Sequence, residues 1–329
     1  MATSFPTSGA RAANEADLGL GGRLAQLSGK RLMNRDGTFN ISRTGARWQE
    51  FFHPYHVLLT VSWGQFFGLV LTLYFAVNLL FACAYLLCGP GALAGAEETD
   101  LGGRFTNAFF FSVQTIATIG YGKMTPEGVA ANILVAIEAL FGLLGFAFAT
   151  GVMFARFSRP TARIAFSEKA IFAPYRGGTA LMFRVANARR TELSDVTITV
   201  AMARMETVDG RRTRRFYQLA LERSRVTFLS TQWVVVHPID EASPFWGVTE
   251  ADLANCEPEI LVLLSALDET FSQTVQVRGS YQGNEFFWGA KFRDIYEQEP
   301  GGALRIDIRR LGEIDAAELP PPGVSVQQG

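Results

Sequence analysis

Residues 118–122 read Thr118-Ile119-Gly120-Tyr121-Gly122, with the two glycines at alternate positions. Glycine tolerates positive φ, so alternating backbone conformations are available in this stretch. Successive carbonyl oxygens can then face one axis and replace the water around a dehydrated cation, and the Thr118 hydroxyl can add oxygens at one end. Ile119 and Tyr121 would point away from that axis and brace it. A lone Gly-Tyr-Gly can also be a simple turn, so the flanking sequence has to decide between these two readings.

Two long apolar runs flank this stretch. The first covers residues 57–87 without any Asp, Glu, Lys or Arg, and the second covers residues 129–155 with Glu138 as its one acidic residue. Each exceeds the ~20 residues that a membrane-spanning helix needs. The apolar segment that begins at Arg104 is too short to cross, and it predicts a re-entrant half-helix whose partly negative C-terminal end favours a cation.

Together these segments predict a two-span pore domain over residues 46–157, with an outer helix at 57–87, a pore helix and filter at 104–122 and an inner helix at 129–157. In this context the stretch 118–122 matches a potassium filter. Four such loops surround one ion path, which predicts a homotetramer. Potassium would be held by the filter carbonyls and Thr118, and no other cofactor is predicted.

The residues before the first span predict a helix lying at the membrane surface. Trp48, Phe51, Phe52 and Tyr55 stand at i, i+3, i+4 and i+7, which gives one aromatic face to a helix at 46–56. The alternative is that the span simply extends backwards. Pro54 argues against this alternative because proline bends or breaks a helix. The N-terminal cytoplasmic segment 1–45 is read as a mobile tail with a short ordered stretch near Phe39 and Ile41.

Basic residues cluster outside the two spans, on their N- and C-terminal sides, while the connection between the spans is mainly acidic. The positive-inside rule therefore predicts that both termini are cytoplasmic. No apolar segment typical of a cleaved signal peptide is found in the first thirty residues. Cys83, Cys88 and Cys256 form neither a disulfide framework nor a metal-binding spacing.

Several further motifs resemble the inward-rectifier potassium channels, and most closely their bacterial KirBac branch. They are the inner-helix end Thr150–Pro160, the segment His237–Pro244, and the pairs Asn284-Glu285 and Trp288-Gly289. The resemblance implies a fold of membrane α plus all-β type: a two-span tetrameric pore domain with a re-entrant pore helix, then a cytoplasmic immunoglobulin-like β-sandwich over residues 158–310. A C-terminal tail would follow at 311–329.

The composition of the second half agrees with a sandwich, because runs rich in Val, Leu, Ile, Phe and Thr are separated by polar or Gly/Pro-containing segments. Five strands are predicted, at 179–187, 196–205, 226–237, 260–266 and 274–281.

The resemblance also implies gates. Phe154 matches the bulky residue at the inner-helix crossing, where four phenylalanines close a pore by bulk and dewetting; helix packing is the alternative role. Phe146 stands where strong rectifiers carry Asp, which puts strong block by polyamines or magnesium in doubt. The cytoplasmic loop gate corresponds to Phe271, Ser272, Gln273, Thr274 and Val275.

Anionic lipid regulates the family, and four arginines match or neighbour its basic interfacial positions: Arg47, Arg156, Arg159 and Arg163. Their alternative role is topology and headgroup anchoring. Gln49, Thr161 and Ala162 replace basic residues of eukaryotic relatives, so activation by a phosphoinositide is not predicted, and the bacterial branch suggests inhibition.

Other interpretations are a two-span channel of another family, or a membrane-anchored sensor or enzyme with a β-domain. The sequence shows no Ser/His/Asp set, metal cluster or phosphate loop, so no enzymatic activity and no nucleic-acid partner are predicted. Gln114 stands where many relatives of the family carry Glu, and Met124 stands where some carry the Arg that pairs with it. The ion pair that braces the filter in those relatives is therefore missing here. An intramembrane carboxyl is a functional candidate, and Glu138 would either line the cavity or hydrogen-bond behind the filter.

Overall fold

The computed structural model describes residues 31–40, 54–96, 100–158, 163–189, 191–208, 210–298, 302, 304–321, 323–324 and 326. Contacts between Cα atoms divide the chain into two compact units. One unit is Thr44–Arg159, and the other combines Met1–Arg43 with Pro160–Gly329. The predicted surface helix at 46–56 falls mostly outside the described residues.

The helical unit begins with two helices in place of the one predicted from residue 57. Helix α1 is Pro54–Thr60 and helix α2 is Trp63–Leu87. They are separate because Ser62 caps α2: its hydroxyl accepts the Gln65 backbone N–H at 3.3 Å, and the Gln65 side chain accepts the Ser62 N–H at 3.0 Å. This reciprocal capping box starts a new helix within an apolar run. Pro54 is the first residue of α1, a position that suits a residue without an N–H. The span α2 starts only at Trp63, so it does not run back through Pro54.

Two helices follow in this unit. Helix α3 is Leu101–Ile116 and helix α4 is Gly128–Phe157. A two-residue ladder of β1 (Leu93–Ala94) with β2 (Thr125–Pro126) joins the segment before α3 to the segment after residue 122. At 25 and 30 residues, α2 and α4 are long and apolar enough to cross a membrane.

The second unit is a β-sandwich. In chain order its principal strands are β3 Ile164–Phe166, β4 Ala170–Tyr175, β5 Gly178–Asn187, β6 Leu193–Val208, β7 Arg211–Gln218, β8 Arg225–Phe228, β9 Gln232–Pro238, β10 Glu259–Asp268, β11 Gln273–Gln282 and β12 Phe286–Trp288. One five-stranded sheet has the order β11-β10-β6-β7 with β8 also on β6. The other has the order β12-β4-β5-β3 with β9 also on β5.

The core lies between these two sheets. Alternate residues of β5, β6 and β10 are buried together, as the two-residue repeat of a strand requires: Leu181, Phe183, Val185, Ile198, Val200, Met202, Ile260, Val262 and Leu264. The two-span and β-sandwich fold class predicted from the sequence is thereby confirmed. The predicted strand at 226–237 is two strands, because β8 pairs with β6 while β9 pairs with β5 in the other sheet. The smaller elements are the helix α5 Glu250–Asn255 and the strands β13 Ala290–Phe292, β14 Tyr296–Gln298, β15 Leu304–Ile306 and β16 Ile314–Ala316.

Residues 31–40, here called the N-terminal strap, pack against the outer face of the first sheet. Leu32 and Met33 are buried beside Leu261. Their backbone N–H groups donate to the Glu259 carboxylate at distances of 2.8–3.1 Å. The prediction of a mobile tail is wrong for residues 31–38, because apolar burial and hydrogen bonds to a buried carboxylate hold this segment in place. The short ordered stretch predicted near Phe39 is part of the strap, since Phe39 packs against the same apolar cluster, while Ile41 lies outside the described residues.

Candidate ion-conduction site

Helix α3 ends at Ile116, directly before the filter stretch at residues 118–122. Asp100 caps it, because its carboxylate accepts the N–H groups of Gly102 and Gly103 at 3.0 and 3.2 Å. The helix therefore starts three residues before the predicted Arg104. At its other end, the Ile119 N–H still reaches back to the Gln114 carbonyl at 2.8 Å. The filter stretch is thus tied to the last turn of α3.

The backbone of residues 118–122 alternates in the way that the sequence predicted. Positive φ occurs at Thr118 (55°), Gly120 (59°) and Gly122 (75°), but not at the two residues between them. Two of these three are glycines, for which this region is free of the Cβ clash. Thr118 is branched at Cβ and adopts the same region, which is uncommon and marks a functional constraint.

In one copy of the chain this stretch lies on the surface. The side chain of Ile119 is 46% exposed and that of Tyr121 is 76% exposed. Irregular backbone at membrane depth persists only where protein buries it or where it lines a water-filled path. The ladder is therefore incomplete in a single copy.

A buried polar cluster lies behind α3. Glu138 of α4 is 0% exposed; one carboxyl oxygen accepts a hydrogen bond from the Tyr85 hydroxyl at 2.6 Å, and the other is in hydrogen-bond contact with the Ser112 hydroxyl. Ser112 also contacts Asn78 Oδ1 at 3.0 Å, and the Asn78 amide donates to the Tyr74 carbonyl at 2.7 Å. The cluster joins α2, α3 and α4. Of the two predicted roles for Glu138, cavity lining is excluded and hydrogen bonding behind the filter is observed.

The sequence reasoning missed the other members of this cluster. Asn78 could have been identified from the sequence, because it is an amide within an apolar spanning helix and such residues need a hydrogen-bond partner. Ser112 and Tyr85 gave no comparable signal. Serine is common in helices, and a tyrosine near the end of a span has an ordinary place at the interface.

The two predicted gate phenylalanines lie on α4 with open side chains. Phe146 is 74% exposed and Phe154 is 72% exposed. They are eight residues apart, which places them about 80° apart around the helix axis. This exposure does not fit the alternative of helix packing within one copy.

The predicted cytoplasmic loop gate is only partly a loop. Phe271 and Ser272 form the turn between β10 and β11, where Ser272 has φ +51°, and Gln273 and Thr274 are exposed at the start of β11. Val275 is 6% exposed and belongs to the sandwich core. It is removed from the predicted gate set, because a strand places alternate residues on opposite faces and Val275 faces inwards.

The four arginines predicted to bind lipid have different surroundings. Arg47 and Arg159 lie outside the described residues, and Arg163 is exposed. Arg156 is already engaged: its two Nη groups donate to the backbone carbonyls of Leu58 and of Val61, the latter at 2.7 Å.

The Arg156 guanidinium also lies 4.6 Å from the centre of the Trp63 ring and 4.8 Å from that of Phe66. The two carbonyls that it binds lie at and just beyond the C-terminal end of α1, where carbonyls lack helical partners. The structure therefore gives Arg156 a helix-capping role within the helical unit, and the lipid contact that the family resemblance implies stays a prediction.

The His237–Pro244 segment has a structural role in the sandwich. The His237 ring bonds the Ala220 carbonyl through Nδ1 at 2.6 Å and the Ser243 hydroxyl through Nε2 at 2.8 Å. A carbonyl cannot donate, so Nδ1 carries the proton and Nε2 accepts from Ser243. Burial lowers the pKa of His237, so the ring is neutral in the folded domain.

Two family models together match most of this chain. The family described as inward rectifier potassium channel C-terminal domain matches residues 164–328, and the family described as ion channel matches residues 67–159. The chain is 43% identical over 286 residues to the inward rectifier potassium channel Kirbac3.1 of Paramagnetospirillum magnetotacticum, covering 86% of this chain and 95% of that one. It is 30% identical over 325 residues to the human (Homo sapiens) G protein-activated inward rectifier potassium channel 3, covering 91% and 80% respectively.

Among solved structures, the sporulation control protein Spo0M from Bacillus subtilis aligns at 12% identity with a TM-score of 0.24. That alignment covers 40% of this chain and 50% of the other.

Proposed function

This chain belongs to the inward-rectifier potassium channel family and is an integral membrane protein, and on that premise we propose that four copies form a potassium-selective pore through residues 118–122. The observation that carries the proposal is the alternation of positive φ at Thr118, Gly120 and Gly122. Four such ladders around one axis would offer rings of carbonyl oxygens, with the Thr118 hydroxyls at the inner end. Potassium would pass down its electrochemical gradient, and no cofactor would be needed.

The assembly is supported by the surface of a single copy. Ile119 and Tyr121 are large side chains beside irregular backbone, and they are left open to contact neighbouring copies. Burial of that backbone would satisfy the requirement that unpaired main-chain groups stay away from lipid. Both termini would lie in the cytoplasm of a bacterial cell, with the pore in its inner membrane.

The proposed filter is tested by Gly120→Ala. An alanine at φ +59° is strained, because its Cβ approaches the following carbonyl oxygen at a cost of roughly 1–2 kcal/mol, repeated in four copies around one axis. We expect at least a tenfold loss of potassium flux into liposomes, with the tetramer still eluting as one species. The control is Gly68→Ala, a helical position in α2 where an added Cβ meets nothing within 4 Å. Wild-type flux in Gly120→Ala would contradict the assignment.

We further propose that Phe154 closes the inner end of the pore. Four of these rings around the axis would exclude water and ions, and their exposure in one copy supports this role. Phe154→Ala should raise flux under conditions where the wild type is mostly closed. Phe148→Ala is the control, because Phe148 is also exposed but lies about 120° around the helix from Phe154. Equal flux in wild type and Phe154→Ala would remove Phe154 as the gate.

Weak rectification is expected of the proposed channel, on the basis of Phe146. Phe146 carries no charge, so it cannot hold magnesium or polyamines by attraction, and weak block from that site is expected.

Gating is proposed to involve the turn at Phe271–Thr274 as well. Anionic lipid is proposed to modulate the channel through Arg47, Arg159 and Arg163, and Arg156 is omitted because backbone carbonyls and two aromatic rings occupy it.

A further inference from the structure

The buried cluster behind α3 consists of Asn78, Tyr85, Ser112 and Glu138. If Glu138 is ionised, this cluster has too few hydrogen-bond donors for its acceptors. The Asn78 amide nitrogen donates to the Tyr74 carbonyl, so Asn78 Oδ1 is the atom that faces Ser112. Ser112 has one hydroxyl proton, yet its oxygen contacts both Asn78 Oδ1 and the Glu138 carboxyl. With a carboxylate, one of these two acceptors would have no donor and would be left unsatisfied in a buried site.

A protonated Glu138 removes this conflict. The Tyr85 hydroxyl donates to one carboxyl oxygen, the other carboxyl oxygen donates its proton to Ser112, and Ser112 donates to Asn78. Reversing the Asn78 amide does not help, because its oxygen would then face the Tyr74 carbonyl at 2.7 Å. Every polar group of the cluster is satisfied only when the acid is neutral.

The three helices that meet at the cluster also bring no compensating cation. Helix α2 contains no Lys, Arg or His. On α3 the basic residue is Arg104, eight residues or about 12 Å from Ser112, and on α4 it is Arg156, eighteen residues or about 27 Å from Glu138. An unpaired carboxylate at membrane depth is costly, whereas a hydrogen-bonded neutral acid is not.

A second contact lies four residues further along both helices. A Cβ at Gly142 of α4 would come within 2.7 Å of the Ile116 carbonyl oxygen of α3, so only glycine allows this approach. Residues 138 and 142 therefore fix residues 112 and 116, the last part of α3. The filter stretch begins two residues later and is bonded back to that same turn through Ile119.

We propose that Glu138 is a positioning residue that acts as a neutral hydrogen-bonding acid: it holds the end of α3 in place and thereby keeps the filter backbone selective. Glu138 does not touch the permeant ion in this account. The inference rests on the proposed function of residues 118–122. It differs from an electrostatic role, in which a carboxylate charge near the pore would attract potassium.

Glu138→Gln separates these two roles. An amide oxygen can accept from Tyr85 while the amide nitrogen donates to Ser112, so glutamine reproduces the neutral acid without any charge. Glu138→Leu has similar volume but neither bond, and Ser112→Ala cuts the chain of bonds between Glu138 and Asn78. The measurement is the ratio of potassium to sodium flux in liposomes, made on protein that elutes as the intact assembly.

We expect Glu138→Gln to keep the flux ratio within about twofold of the wild type, and Glu138→Leu and Ser112→Ala to lower it by about tenfold or more, the size of losing a buried hydrogen bond of ~1.4 kcal/mol. If Glu138→Leu does not assemble, the Glu138→Gln and Ser112→Ala pair carries the test. A glutamine variant as unselective as the leucine or alanine variant would overturn the neutral-acid role. Wild-type ratios in Ser112→Ala would overturn positioning. An unselective wild type would instead contradict the proposed function itself.

Discussion

At the scale of single residues, the filter stretch is distinguished by three positive-φ residues, Thr118, Gly120 and Gly122. Thr118 is the most constrained of them, since a left-handed conformation costs a residue with a Cβ about 1–2 kcal/mol. Its N–H is bonded to the Thr115 carbonyl at 3.0 Å, which offsets part of this cost. The strain is therefore located where α3 ends, beside the buried Glu138 cluster that fixes that end.

Much of this detail could be predicted from the sequence, and some could not. The alternate glycines in Gly120-Tyr121-Gly122 predict positive φ at every second residue, and the structure shows positive φ at both glycines. Whether Glu138 lines the cavity or faces the back of α3 depends on how α4 is rotated about its axis, and the apolar residues around Glu138 do not specify that rotation. The hydrogen bonds with Ser112 and Tyr85 show that Glu138 faces α3 and α2.

His237 gives a residue-scale prediction for the β-sandwich. Its pKa is lowered from 6.5 by burial, so the unfolded chain binds more protons below that pH than the folded domain does. The stability from neutral His237 is therefore fully present above about pH 6.5 and is lost as pH falls through the lowered folded-state pKa.

We expect the melting temperature of the intact protein to fall as pH is lowered from 7.5 towards 5. In His237→Gln, which cannot titrate, this fall should be smaller, and that difference is the readout. An identical pH dependence in both proteins would contradict the account of His237.

At the scale of elements, the junction of α1 and α2 shows how a local signal can be hidden in an apolar run. The run at 57–87 reads as one helix by composition, but Ser62 and Gln65 form a capping box that divides it. Arg156 then satisfies the carbonyls left open at that end of α1. The sequence predicted that Arg156 lies near the membrane interface. It could not show that the Arg156 guanidinium binds two backbone carbonyls and packs on the Trp63 and Phe66 rings.

Arg156→Gln should therefore lower stability. Losing the carbonyl bonds and the contacts with the Trp63 and Phe66 rings should cost about 1–3 kcal/mol. The temperature at which half of the detergent-solubilised protein loses its single elution peak measures this effect.

Arg163→Gln serves as the control for Arg156→Gln, since Arg163 is exposed and should leave that temperature unchanged. If Arg156→Gln keeps the wild-type temperature and alters only the response to anionic lipid, then the charge-based prediction was right and the capping role is wrong.

The N-terminal strap gives a second prediction at the scale of elements. Glu285 is buried and accepts from Arg31 at 3.1 Å, from Arg35 at 2.6 Å and from the Gln282 N–H at 2.8 Å. Glu285→Ala leaves these donors without their acceptor, so the strap should detach more often. Trypsin should then cleave at Arg31 or Arg35 several-fold faster than in the wild type, since cleavage follows the open population.

Asp195→Asn is the matched control for the strap. It removes a comparable ion pair, with Arg225 at 2.6 Å, whose two side chains are both exposed. Exposed pairs of this kind contribute little, so cleavage at the strap should stay at the wild-type rate. Equal cleavage in wild type and Glu285→Ala would show that Glu285 does not hold the strap.

At the scale of the whole molecule, two units of different chemistry share one chain. The helical unit leaves most of its large apolar side chains exposed in a single copy, as expected for a surface that faces lipid or other copies. The β-sandwich buries its own core instead. Apolar runs and family motifs were sufficient to predict this division. They were insufficient for the strap, whose burial depends on Glu259 and Leu261, more than 200 residues further along the chain.

The central claim is that residues 118–122 select potassium, and a bi-ionic measurement tests it most directly. The purified assembly is placed in a planar bilayer with potassium on one side and sodium at equal concentration on the other, and the reversal potential is read. The account predicts a large potential set by potassium, corresponding to a permeability ratio of at least about a hundredfold. A reversal potential near zero from intact assemblies would contradict it.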